Sequence, residues 1–82
     1  MTETAIRDRV IHALRGIAPE VDPAALDTRA NLREEVDLDS FDHLNFMIAL
    51  AEEFGVDVPE SEYPRLMTVD DIVAWIMAHA PT

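Results

Sequence analysis

Apolar residues in this chain recur with the period of a helix, and no stretch shows a convincing strand. Ile6, Val10, Leu14 and Ile17 fall at i, i+4, i+8 and i+11 and mark one face of a first helix over residues 3–18. Gly16 weakens the end of that helix and Pro19 stops it. A second helix runs over about residues 40–54 and ends at Gly55, a residue suited to the left-handed position after a helix. Val56-Asp57-Val58-Pro59 reads as an extended link. Residues 61–66 read as a short third helix, irregular because Pro64 lies inside it. Thr68-Val69-Asp70-Asp71 resembles a capping box with Asp in place of Glu, and opens a last helix to about Ala80. Its inner face is Val69, Ile72, Val73, Ile76 and Ala80. The pattern predicts an all-α fold.

Residues 19–39 form a long connection, an unusual element in so small a domain and one that hints at function. Asp22-Pro23 suggests a short turn with aspartate capping and proline at the first helical position. Leu26, Leu32 and Val36 are expected to pin the connection to the core.

With 82 residues, the chain is expected to form a single domain over 1–82 with a modest core. An apolar fraction of 49% supports a globular fold. No cysteine is present, so disulfides and thiolate metal sites are excluded. No apolar run reaches the roughly 20 residues of a membrane span. Met1-Thr2-Glu3-Thr4-Ala5 lacks a basic-then-apolar signal pattern. The expectation is a soluble, cytoplasmic monomer.

Charge is distributed unevenly. Five arginines balance five acids in residues 1–33, whereas Arg65 alone faces twelve acids in residues 34–82, so the net charge of −11 lies in the second part. Glu34 to Pro64 holds ten acids and no lysine or arginine. Nucleic acid and anionic membranes are poor partners for such a field, and basic protein patches are good ones. Solubility alone is the simpler account of the same charge.

Ser40 sits in the middle of this acidic stretch, in Glu35-Val36-Asp37-Leu38-Asp39-Ser40-Phe41-Asp42, where loop becomes helix. A hydroxyl at that point is exposed and adjoins the free N–H groups and positive dipole end of the helix, which favour a phosphate. It is a candidate anchor for a phosphate-linked arm. An ordinary N-cap serine fits the local sequence equally well. Asp37, Asp39 and Asp42 oppose an anion, so their expected use is to attract a basic partner, or a Mg²⁺ held jointly with one.

The second helix carries two apolar stripes when its residues are spaced about 100° apart. Phe46, Met47, Leu50 and Phe54 form the natural core stripe. Phe41, Leu44, Ile48 and Ala51 form another, beside Glu52. This second stripe is either an acid-edged docking rim or a second buried face.

These residues resemble the acyl carrier protein family. The resemblance rests on Asp39-Ser40-Phe41-Asp42, then Phe46 to Phe54 ending Glu52-Glu53-Phe54, then Val56-Asp57-Val58-Pro59 and Met67-Thr68-Val69-Asp70-Asp71-Ile72-Val73. The pieces match without gaps over roughly residues 32–76. The first helix fits in length and pattern but carries no diagnostic residue.

The resemblance implies a four-helix bundle with a short third helix and a long loop between the first and second. It implies 4′-phosphopantetheine esterified to Ser40 by a phosphopantetheinyl transferase, with acyl groups carried as thioesters on the arm's thiol. The chain itself would be a carrier and not a catalyst. Its partners would be acyl-loading and acyl-processing enzymes with basic docking patches, recognising Asp39, Phe41, Leu44, Ile48 and Glu52. An interior lined by Phe46, Leu50 and residues of the last helix would shelter an acyl chain. Phe41 stands where the family usually has Leu or Met. Asn45 and Ala51 stand where many fatty-acid-synthesis carriers have glutamates, which points toward a specialised polyketide, lipid-modifying or peptide-assembling pathway. The competing expectation is an acidic helical adaptor of the same fold that is never loaded.

Other chemistries are poorly supported. Ser40 and His43 share a helix face with acids nearby, but no Gly-x-Ser-x-Gly elbow or oxyanion loop accompanies them. His43 is expected to be exposed beside the arm. An EF-hand opened at Asp37 fails, because its sixth position is Asp42 and its twelfth Ile48. His12 and His79 lack metal-ligand spacing. Trp75 is expected to be half-buried packing, and Met47, Met67 and Met77 soft filler of core or rim.

Overall fold

The computed structural model describes residues 2–80, so residues 1, 81 and 82 of the expected domain lie outside the described residues. It is all-helical over those residues. The elements are α1 (Glu3–Ile17), α2 (Leu32–Glu35), α3 (Ser40–Phe54), a 3₁₀ turn (Glu60–Arg65) and α4 (Val69–His79). Helix α3 is the second helix of the sequence reading, the 3₁₀ turn is the third and α4 the last. Helix α2 is an addition inside the long connection.

Each long helix begins on a side-chain cap. Thr2 Oγ1 accepts from Ala5 N–H at 3.1 Å, Asp39 Oδ1 from Asp42 N–H at 2.8 Å, and Thr68 Oγ1 from Asp71 N–H at 3.0 Å. Each such bond satisfies one of the N–H groups that a helix start leaves unpaired. Helix α3 ends on Gly55 at φ 64°, the left-handed conformation that glycine adopts without a Cβ penalty. Proline 64 prevents the 3₁₀ turn from continuing as an α-helix.

Helix α1 packs against both α3 and α4. Ile6, Val10 and Leu14 of α1 meet Phe46, Met47, Leu50 and Phe54 of α3 and Val69, Ile72, Val73 and Ile76 of α4 in one core. Arg9 reinforces the α1–α3 contact. Its guanidinium donates to Glu53 Oε1 and to the Glu53 carbonyl, each at 2.8 Å, and lies 4.9 Å from the centre of the Phe54 ring. Helix α3 has no basic residue in its own last turn, so Arg9 supplies the cation that a helix C-terminus favours.

The long connection is more ordered than its length suggests. Asp22 Oδ1 accepts from Ala24 N–H at 3.0 Å and closes the expected turn at Asp22-Pro23. Asn31 Oδ1 accepts from Arg33 N–H at 2.9 Å and starts α2. Leu32 is fully buried, while Leu26 and Val36 pack partly buried on the core as expected. Val21 and Leu38 are buried as well. Two backbone bonds tie the connection to the start of α4: Leu32 N–H to the Met67 carbonyl at 2.8 Å, and Asp70 N–H to the Thr28 carbonyl at 3.0 Å. No helix among the described residues is long and apolar enough to cross a membrane.

Candidate functional site

Ser40 is the first residue of α3 and is exposed. It is not the N-cap that its local sequence permits. Asp39 holds that position with an extended backbone (φ −82°, ψ 179°) and its carboxylate satisfies the Asp42 N–H. The Ser40 hydroxyl therefore has no hydrogen-bond partner among the described residues. The N–H groups of Ser40 and Phe41 begin the helix and have no partner within it. A phosphate ester on the Ser40 oxygen would meet unpaired donors and the positive end of a 15-residue helix. The residues present thus fit a phosphate-linked group.

Two residues shape the approach to Ser40. Leu38 is buried two residues earlier, and Asp37 lies in the left-handed region at φ 56°. Aspartate tolerates this conformation better than most side chains, though less well than glycine. These two residues turn the chain sharply into α3.

The second apolar stripe of α3 is open to solvent. Phe41 is 69% exposed, Ile48 47% and Leu44 37%, with exposed Glu52 along the same side. The alternative of a helix buried on both stripes is thereby overturned: α3 has neighbours on its core side only. Ala51 alone of this stripe is partly buried against the core. Asp39, Phe41, Leu44, Ile48 and Glu52 are all solvent-facing, and Asp39 also caps the helix. Phe46 and Leu50 are closed off, at 0% and 1% exposure.

His43 departs from its expected exposure. It is 7% exposed, its Nε2 is 3.0 Å from the Leu66 carbonyl, and its ring meets Tyr63 edge-to-face at 6.1 Å. An Nε2–H donating to that carbonyl fits the distance and gives both polar groups a partner, which is what makes the burial tolerable. No hydrogen bond joins the His43 ring to Ser40 or to an acidic side chain among the described residues, so the two do not form a hydrolase pair. No group of three or more acid or histidine side chains suited to a metal ion occurs among the described residues. Trp75 is half-buried and stacks on His79 with ring centres 4.0 Å apart. Met47 is core, whereas Met77 is half exposed.

Sequence reasoning missed one residue near Ser40. Arg33, on α2, borders a cleft of about 430 Å³ together with Ser40, His43, Tyr63, Pro64 and Met67. The signal was present in Asn31-Leu32-Arg33-Glu34, where a capping residue precedes an acid by three positions.

Similarity to known proteins agrees with this geometry. The family profile described as "Phosphopantetheine attachment site" matches residues 8–76. An acyl carrier protein of Lactobacillus acidophilus is 35% identical over 60 residues, covering 73% of this chain and 75% of its own. One from Campylobacter concisus is 34% identical over 71 residues, 87% of this chain and 86% of its own. Acyl carrier protein 2, mitochondrial, of Arabidopsis thaliana is 30% identical over 79 residues, 96% of this chain, which spans 62% of the length of that relative. The solution structure of a candidate acyl carrier protein from Anaplasma phagocytophilum superposes with a TM-score of 0.81 at 26% identity, covering 95% of this chain and 91% of that one. The chain belongs to the acyl carrier protein family, whose cofactor is covalently attached 4′-phosphopantetheine.

Proposed function

We propose that Ser40 carries the 4′-phosphopantetheine arm and that the chain shuttles acyl groups as thioesters on the arm's terminal thiol. The observation that supports this best is an exposed serine hydroxyl, without a protein partner, at the first position of a capped helix. A phosphopantetheinyl transferase esterifies that oxygen. The arm supplies the thiol; the protein supplies an anchor that holds it at the mouth of an acidic, apolar-striped helix. Loading and processing enzymes bring basic patches to that helix, reading Asp39, Phe41, Leu44, Ile48 and Glu52. Raised salt weakens such docking.

Asn45 and Ala51 leave this face two charges poorer than the fatty-acid-synthesis pattern. We therefore assign the chain to a specialised acyl pathway, of polyketide, lipid-modifying or peptide-assembling type, before fatty acid synthesis. A cytoplasmic site of action belongs to the same proposal.

Intact mass after co-expression with a broad-specificity phosphopantetheinyl transferase tests the assignment. Wild type gains one arm and Ser40→Ala gains none. A wild type that stays unmodified would instead identify an unloaded acidic adaptor, and equal modification of Ser40→Ala would move the anchor elsewhere.

A further inference from the structure

The ten acids between Glu34 and Pro64 create a local field that repels any anion anchored at Ser40. Arg33 is the last cation before that stretch and stands on the wall of the same cleft as Ser40. Like Arg15 it has no ion pair among the described residues, whereas Arg7, Arg9, Arg29 and Arg65 are ion-paired.

The backbone of Arg33 is anchored on its N-terminal side. Its own N–H is bonded to Asn31 Oδ1 at 2.9 Å, and the preceding Leu32 is fully buried with its N–H on the Met67 carbonyl at 2.8 Å. Met67 lines the cleft, so the residue next to the cation is bonded directly to the cleft wall. The rest of the lining is Pro64, the His43 ring and half-buried Tyr63. The Nε2 of His43 is held by Leu66, but the Tyr63 hydroxyl has no partner among the described residues. The result is a cleft of about 430 Å³ with a cation at its rim, an apolar floor and one free hydroxyl besides that of Ser40. That volume lies within the ~300–1,000 Å³ of small-molecule sites.

We infer that Arg33 is the internal counter-cation of the arm's phosphodiester and that it biases the arm to lie in the cleft along Tyr63 and Met67. The inference rests on Ser40 being the attachment point. The chemistry matches end to end. A guanidinium pairs with phosphate oxygens, the branched dimethyl segment of the arm covers Met67 and Pro64, and an arm amide meets the Tyr63 hydroxyl. Arg33 is exposed, so the bias is modest. An ion pair of this kind shifts the docked population about two- to fivefold.

Isotope-filtered NMR on holo protein, labelled in the chain and unlabelled in the arm, tests this. Intact mass first establishes one arm per chain. Wild type is expected to give contacts from the arm's dimethyl protons to the Tyr63 ring and the Met67 methyl. Arg33→Gln is expected to weaken them two- to fivefold with the apo spectrum otherwise unchanged, and Arg33→Lys to retain a good part. In wild type, but not in Arg33→Gln, 1 M salt is expected to weaken them as well. Contacts absent from loaded wild type, or equally strong in Arg33→Gln, overturn the role of Arg33 and leave Ser40 standing. A wild type that gains no arm removes the Ser40 assignment and this inference with it.

Discussion

Asp39 holds two jobs, and a pair of substitutions separates them. Its carboxylate caps α3 through a 2.8 Å bond to the Asp42 N–H, and the same charge faces solvent where a basic partner would arrive. Removing an N-cap aspartate costs about 1 kcal/mol. Losing a negative charge at the positive end of a 15-residue helix costs a further ~0.3–1 kcal/mol at low salt. Asp39→Ala loses both, about 1.5 kcal/mol in all. Asp39→Asn keeps a capping oxygen and loses only the charge, about 0.5 kcal/mol. In a domain of this size each kcal/mol moves Tm by about 4–8 °C, so the expected falls are roughly 6–12 °C and 2–4 °C. Thermal unfolding by circular dichroism at low and high salt measures both. Transferase kinetics on the same pair then read the second job. If the charge steers docking, both variants slow the transferase to a similar degree at a temperature where each is folded. Equal stability of Asp39→Ala and wild type would refute the capping argument. Asp39→Asn matching wild type in docking while Asp39→Ala fails would refute the steering argument, because stability alone would then explain the loss.

Four further substitutions probe the packing and the exposed face. Ile48→Glu is expected to stay within about 0.5 kcal/mol of wild-type stability while weakening partner enzymes, and Leu50→Ala to lose about 2–5 kcal/mol in chemical denaturation, since the two residues lie on opposite sides of the stripe boundary. Arg9→Ala is expected to cost about 1–2 kcal/mol through the lost Glu53 and Phe54 contacts, of which a double-mutant cycle with Glu53→Gln recovers less than about 1 kcal/mol because both side chains are partly exposed. His43→Phe is expected to cost about 1–3 kcal/mol by leaving the Leu66 carbonyl unpaired, measurable as a shift in urea midpoint.

The long helices were legible because their signals are local and redundant. In α3, Asp39, the core stripe and Gly55 all agree, and in α4 Thr68 and the Val69 to Ile76 stripe do the same. Helix α2 was missed because four residues give too few turns for a period to register, although Asn31 caps its start and Glu34 follows three positions later. His43 was misread for a different reason. Its place on α3 is readable, but its burial depends on the 3₁₀ turn folding back so that Leu66 offers a carbonyl. No spacing within α3 reports that. Arg33 shares this property: its nearness to Ser40 comes from α2 meeting the Tyr63–Met67 segment, a pairing between residues about thirty positions apart. The ambiguity over Phe41, Leu44 and Ile48 ended the same way, once the placement of α1 and α4 left that side of α3 without a neighbour.

The two backbone bonds from Leu32 to Met67 and from Asp70 to Thr28 bear on how the molecule breathes. They splice the connection ahead of Ser40 to the start of α4, so the two segments open as one cooperative unit. The amides of Leu32 and Asp70 should then exchange with deuterium at matching free energies, well above those of the exposed turn at Asp22-Pro23. Motion that frees one wall of the cleft must also release the first turn of α4, which ties access to the serine to the local unfolding of a helix on the far side of the sequence.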